Sequence, residues 1–107
     1  MTDGRPEPAE PPEISVVVPT RGRPDHAAEC VASILACDDG YFTITVIDQS
    51  DDDQTAAALA ELGDARVRRV ATATRGAATA RNVGVAETDG PIIAFTDDDC
   101  RVDTTWL

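Results

Sequence analysis

Apolar residues along this chain come in short blocks separated by polar turns. Ile14–Val18 (ISVVV) is a continuous apolar run closed by Pro19, the pattern of a strand covered on both faces in a parallel sheet. Thr20–Arg23 reads as a turn-rich loop. Pro24 and Asp25 then open a helix, where the missing proline N–H costs nothing, and Ala27, Val31, Ile34 and Leu35 share one helical face. The stop is expected near Cys37–Gly40, at the turn signal Asp38-Asp39-Gly40. Phe42–Ile47 (FTITVI) is a second strand, β-branched almost throughout. The polar loop Asp48–Asp53 follows, and Ser50 or Asp51 is expected to cap a helix over Gln54–Leu62 with Ala58, Leu59 and Leu62 inward and Gly63 at its end. Arg66–Val70 has only Val67 and Val70 apolar, which predicts an edge strand. A loop at Thr72–Gly76, a helix from Ala77 to Glu87 and a turn at Thr88-Asp89-Gly90 lead to a fourth strand, Pro91–Thr96. This strand is expected to be central, and Asp97, Asp98 and Asp99 follow it at once.

The order β-α-β-α-β-α-β predicts an α/β, Rossmann-like open parallel sheet with helices on both faces, formed by residues 14–107. Residues 1–13 alternate proline and glutamate with almost nothing to bury, and are expected to be a disordered or extended tail. Open parallel sheets bind ligands beyond the carboxyl ends of their strands. Four polar clusters fall there: Thr20–Arg23, Asp48–Asp53, Arg75–Gly76 and Asp97–Asp99.

Charge narrows the function. The 107 residues hold nine basic and 20 acidic side chains, a net charge of −11, and every basic residue is an arginine. Lysine nucleophiles, Schiff bases and P-loop lysines are therefore out, and general nucleic-acid binding is disfavoured by repulsion from the phosphate backbone. With 42% hydrophobic but only 4% aromatic residues, the core must be aliphatic. Cys30, Cys37 and Cys100 fit neither a zinc site nor a disulfide framework, so reduced thiols and a cytoplasmic location are expected. No apolar run approaches the roughly 18 residues of a membrane span, which leaves room for peripheral association only.

Three adjacent carboxylates repel one another unless a cation neutralises them, and an all-oxygen set favours Mg²⁺ or Mn²⁺. On an extended segment Asp97 and Asp99 face one ligand while Asp98 turns aside; the competing reading is a solvated acidic turn. Asp48 is placed to accept hydrogen bonds from a nucleobase or ribose, against a plain helix-capping loop. In Arg75–Gly84 (RGAATARNVG) small residues permit close approach. Gly84 costs about 1 kcal/mol against alanine inside a helix, which suggests a packing reason. Arg81 is placed to reach a nucleotide and Asn82 to brace the loops; the competing readings are a surface arginine and a surface amide. Thr20, Arg21 and Arg23 offer backbone and guanidinium groups to a base or phosphates, against an ordinary exposed loop. His26 has no partner and reads as structural or solvated. Cys100 adjoins the aspartates but, as a thiol beside a hard-ion site, stays unassigned. Trp106 reads as core for a following element.

These segments resemble the N-terminal, nucleotide-sugar-binding half of the family 2 glycosyltransferases of GT-A fold, over about Ile14 to Leu107. The resemblance is carried by SVVVPTRGRP, by VIDQSDDD, by RGAATARNVGV, and by IIAFTDDDC…WL with its D-x-D motif. It implies that Thr20 and Asp48 contact the base, that Arg81 lies near the same pocket, that Asp97 contacts ribose or metal, and that Asp99 ligates the divalent ion. The triple aspartate leaves the register open by one, so Asp98 is a candidate for either role. Gln49 stands where the family carries an acidic residue. The implied reaction is metal-dependent transfer of a sugar, with inversion, from a nucleotide-diphosphate sugar to an acceptor hydroxyl. The family's general base would come from a later loop, beyond Leu107, so this chain is expected to be inactive alone. The alternatives are a non-catalytic nucleotide- or metal-binding remnant and, second, a nucleotidyltransferase. The latter lacks its Gly-rich basic loop here, a receiver domain would need a lysine, and a dinucleotide oxidoreductase would need G-x-G-x-x-G where the chain reads PTRGRP.

Overall fold

The computed structural model describes residues 14–37 and 41–107. The expected tail (1–13) and the Asp38-Asp39-Gly40 turn lie outside them. The elements run β1 (Ile14–Thr20), α1 (Pro24–Leu35), β2 (Phe42–Asp48), α2 (Gln54–Ala60), β3 (Val67–Ala71), α3 (Ala77–Ala86) and β4 (Ile92–Phe95). The four strands form one parallel sheet in the order β3-β2-β1-β4.

Helices cover both faces. Val16 and Val18 of β1 point to one side, where they pack with Cys30, Val31 and Ile34 of α1 and Leu59 of α2. Val17 points to the other and packs with Ile47 and Ala80, under α3. The continuous apolar run is thus the signature of a strand buried on both faces. The expected cost of Gly84 has its packing reason here: a Cβ at that position would run into Val17 Cγ1 and lie 3.1 Å from Cγ2.

Three expectations change. The first strand does not stop at Pro19 but runs on to Thr20. The C=O of Val17 accepts the Thr96 N–H at 3.3 Å, on the β4 side, whereas the C=O of Thr20 accepts the Gln49 N–H at 2.9 Å, on the β2 side. By this alternation Pro19 faces the β4 side, past the last β4 pair at Val17↔Phe95, so its missing N–H breaks no bond. The fourth strand, expected to be central, pairs only with β1 among the described residues and lies at the sheet edge, with Ile92 and Phe95 exposed. The third strand takes the edge position expected of it. Finally, neither Ser50 nor Asp51 caps α2. Asp53 holds the N-cap position without a side-chain bond, the Asp52 carboxylate accepts the Gln54 N–H at 3.1 Å, and the Ser50 hydroxyl accepts the Gly22 N–H at 2.7 Å instead. No helix among the described residues is long and apolar enough to cross a membrane.

Candidate functional site

The carboxyl ends of the strands converge as the sequence predicts. Thr20 ends β1 and pairs with Asp48 at the end of β2, while the Asp97–Asp99 segment leaves β4 beside them. Between these ends lies a cleft of about 290 Å³. Pro19, Thr20, Arg21 and Arg23 form one wall, Asp97, Asp98 and Asp99 another, and Gln49 and Ala77 the floor between.

Asp48 sits just behind this wall. Its carboxylate is 1% exposed, accepts the Ser50 N–H at 2.9 Å and is paired with Arg69 Nε at 2.7 Å. Burial pushes its pKa up, but the bonds from Ser50 and Arg69 outweigh that and hold it below the ordinary 3.8. The cleft is therefore lined by the next residue, Gln49, rather than by Asp48. The buried Gln49 amide donates to Thr74 Oγ1 at 3.2 Å and to the Gly76 C=O at 3.1 Å, tying β2 to the start of α3. Gly76 takes φ +92°, open to glycine and strained for other residues. Gln49 thus does the bracing that sequence reasoning gave to Asn82, which is exposed and makes no side-chain hydrogen bond among the described residues. The signal for it was the polar residue directly after a buried strand.

The acidic segment is a turn rather than an extension of β4. The Cys100 N–H donates to the Asp97 C=O at 3.2 Å, and this closure, not strand alternation, brings Asp97 and Asp99 together. One carboxylate oxygen from each and the Cys100 Sγ lie within 4.8 Å of one another, all on exposed residues. Asp98 points inward and is only 8% exposed. Its Oδ2 accepts the Thr20 hydroxyl at 2.7 Å and its Oδ1 accepts Arg23 Nη1 at 3.4 Å. Arg23, which the sequence offers to a base or phosphates, is thus a partner of Asp98 at the cleft wall. The Cys30 thiol donates to the Asp97 C=O at 3.4 Å from the α1 side. Burial, then the neighbouring Cys100 and aspartates, push that thiol up to about 12, so it is an inert, protonated group.

Three arginines near the cleft are paired with exposed carboxylates. Arg81 on α3 stands 3.5 Å from Asp97, Arg75 stands 2.9 Å from Asp51, and Arg21 stands 3.9 Å from the same Asp51. All these side chains are substantially exposed and can exchange a carboxylate for another anion at little cost. The structure thus brings Thr20, Arg21, Arg81 and Asp97–Asp99 around one opening and puts Asp48 one layer behind it. His26 is exposed, as expected, and outside the cleft.

Two carboxylate oxygens on one turn, open to solvent beside a polar cleft, fit a hard divalent ion; the thiol is the softer member of the set. Comparison with known proteins gives the family and the fold. The sequence model described as glycosyl transferase family 2 matches residues 15–107. An uncharacterized glycosyltransferase of Rickettsia felis is 34% identical over 88 residues, which is 81% of this chain and 15% of that protein. The chain therefore spans about 15% of the length of the curated relatives it matches. Among solved structures, the mannosyltransferase PcManGT from Pyrobaculum calidifontis, in complex with GDP-Man and Mn²⁺, superposes with a TM-score of 0.73 at 29% identity over 91% of this chain and 30% of its own. S. aureus TarS superposes with a TM-score of 0.76 at 22% identity, covering 87% of this chain and 18% of that one, a likeness of fold.

Proposed function

The chain belongs to glycosyl transferase family 2, and on that premise we propose that it is the donor-binding part of an inverting glycosyltransferase that takes a nucleotide-diphosphate sugar with a divalent ion. The observation that carries this reading is the convergence of Asp97 and Asp99 on the cleft shared with the loop after β1.

Asp97 and Asp99 would hold the ion, Mn²⁺ or Mg²⁺. Bound there, it would neutralise charge developing on the leaving diphosphate. Arg21 and Arg81 sit on exposed carboxylates that a phosphate can displace, so they are the groups to meet the diphosphate. The first turn of α3, at Ala77 on the cleft floor, adds amide donors and the positive end of a helix dipole. Asp48 supports the base from behind: its carboxylate fixes the Asp48–Ser50 turn, which carries the cleft residue Gln49. The acceptor is a hydroxyl compound. Among the described residues no carboxylate of the cleft remains to deprotonate it, since two serve the ion and Asp98 is bonded to Thr20. The 107-residue chain accordingly binds donor without transferring sugar. The reducing, cytoplasmic setting expected from the cysteines belongs to the same proposal.

Titration calorimetry of the chain with UDP and with GDP, each with and without Mn²⁺, tests the reading. Metal-dependent heat that disappears in Asp99→Ala supports the donor site. Absence of heat with both nucleotides points to a non-catalytic remnant. Turnover of a sugar nucleotide by the purified chain would overturn the assignment of inactivity.

A further inference from the structure

We propose that Asp98 is a positioning residue, whose buried carboxylate latches the acidic turn to the end of β1 through the Thr20 hydroxyl and so sets where Asp97 and Asp99 stand. This assigns the register of the triple aspartate: the outer two carboxylates face the cleft opening, and the middle one serves the scaffold. For the ion, the inference rests on the donor-site reading above; for the latch, it rests on packing alone.

The latch joins a weakly held segment to a buried point of the sheet. Thr20 is 3% exposed, and its backbone is bonded to β2 through Gln49 N–H at 2.9 Å and paired with Asp48. By contrast, β4 is four residues long, lies at the sheet edge and ends at Phe95. Beyond it the Thr96 N–H to Val17 C=O bond, at 3.3 Å, is the last backbone link to β1 among the described residues. The two carboxylates that converge on the cleft are exposed; the Asp97 side chain meets an exposed arginine, and its C=O accepts the Cys30 thiol of α1 at 3.4 Å. Among the described residues Asp98 alone of the three bonds to the sheet through its side chain, by a short bond of 2.7 Å between buried groups. Its second partner, Arg23, contributes less: the contact is 3.4 Å and the arginine side chain is 53% exposed.

Partners that orient ligands are worth about 10–100-fold in metal affinity although they never touch the ion. Two substitutions separate a latch from a ligand. Thr20→Val keeps the shape of the side chain and removes the hydroxyl donor. Asp98→Asn keeps an oxygen that accepts the Thr20 hydroxyl, and Arg23 is free to swing into solvent. With the 107-residue chain and UDP or GDP present, Mn²⁺ affinity is read from the electron paramagnetic resonance of the free ion. Thr20→Val should weaken it by about 10–100-fold, Asp98→Asn should stay close to wild type, and Asp99→Asn should abolish binding. Unchanged affinity in Thr20→Val, or a loss in Asp98→Asn as complete as in Asp99→Asn, would overturn the proposal. A second readout needs no metal: hydrogen exchange at the Cys100 amide, which closes the turn onto Asp97. It should speed up by about tenfold in Thr20→Val and hold in Asp98→Asn. If the wild-type chain binds no Mn²⁺, the donor-site reading fails and this exchange pattern still decides the latch. Equal exchange in wild type and both variants would then refute it.

Discussion

Asp48 lies at the end of the second strand with its carboxylate buried between the Ser50 amide and the Arg69 guanidinium. A buried anion is held there by its donors, and its pKa stays below the ordinary 3.8 because those donors outweigh the cost of burial. The sign of the linkage follows. A carboxylate lowered in the folded state contributes its stability above the ordinary value, and loses it as pH falls from about 3.8 through the lower folded value. Arg69→Ala leaves one carboxylate oxygen without its partner. It should cost about 1–3 kcal/mol at neutral pH in a urea titration. It should also move the acid loss of stability to higher pH, whereas Asp48→Asn should flatten the pH dependence below about 4. The sequence placed Asp48 on the rim from its position after a β-branched run. It could not supply Arg69, which is 21 residues away and meets Asp48 only because β3 pairs with β2 in a register that puts Val46 opposite Arg69. Thr20 and Asp98, separated by 78 positions, were likewise both legible as rim residues but not as partners of each other.

At the scale of the element, α3 is defined by its small residues. Ala80 and Gly84 are its buried positions, and the backbone at Gly84 lies against the Val17 side chain. Gly84→Ala gains about 1 kcal/mol of helix propensity. It also drives a methyl group into Val17, and such overpacking costs about 1–3 kcal/mol. A net loss of stability is therefore expected, and it should shrink when Val17→Ala is added, in a double-mutant cycle read by thermal unfolding. Element type and order were legible in periodicity and turn residues. The ends of elements were not: Pro19 stays inside β1 because its missing N–H faces a vacant stretch of the sheet edge, a fact of pairing rather than of local preference. The acidic segment forms a turn and not an extended tail because a bond from Cys100 back to Asp97 closes it.

For the molecule as a whole, charge and mass action act together. A net charge of −11 destabilises the compact state through self-repulsion, and a cation at Asp97 and Asp99, as proposed above, would relieve part of it. With UDP present, Mn²⁺ at a hundredfold excess over its dissociation constant should stabilise the fold by about 2.7 kcal/mol. The rise in Tm should vanish in Asp99→Ala, while sodium chloride at equal ionic strength, which acts by screening, should affect both proteins alike. The sequence by itself determined the layered parallel sheet, its two covered faces and the rim on which the polar residues gather. Those follow from local periodicity, and periodicity is written along the chain. Tertiary structure alone decided that a turn rather than an extended strand separates Asp98 from Asp97 and Asp99, that Asp98 is bonded to Thr20, and that Gln49 rather than Asn82 holds the loops. These depend on groups brought together from different strands, and a hydrogen bond between distant positions leaves no periodic trace in the order of residues.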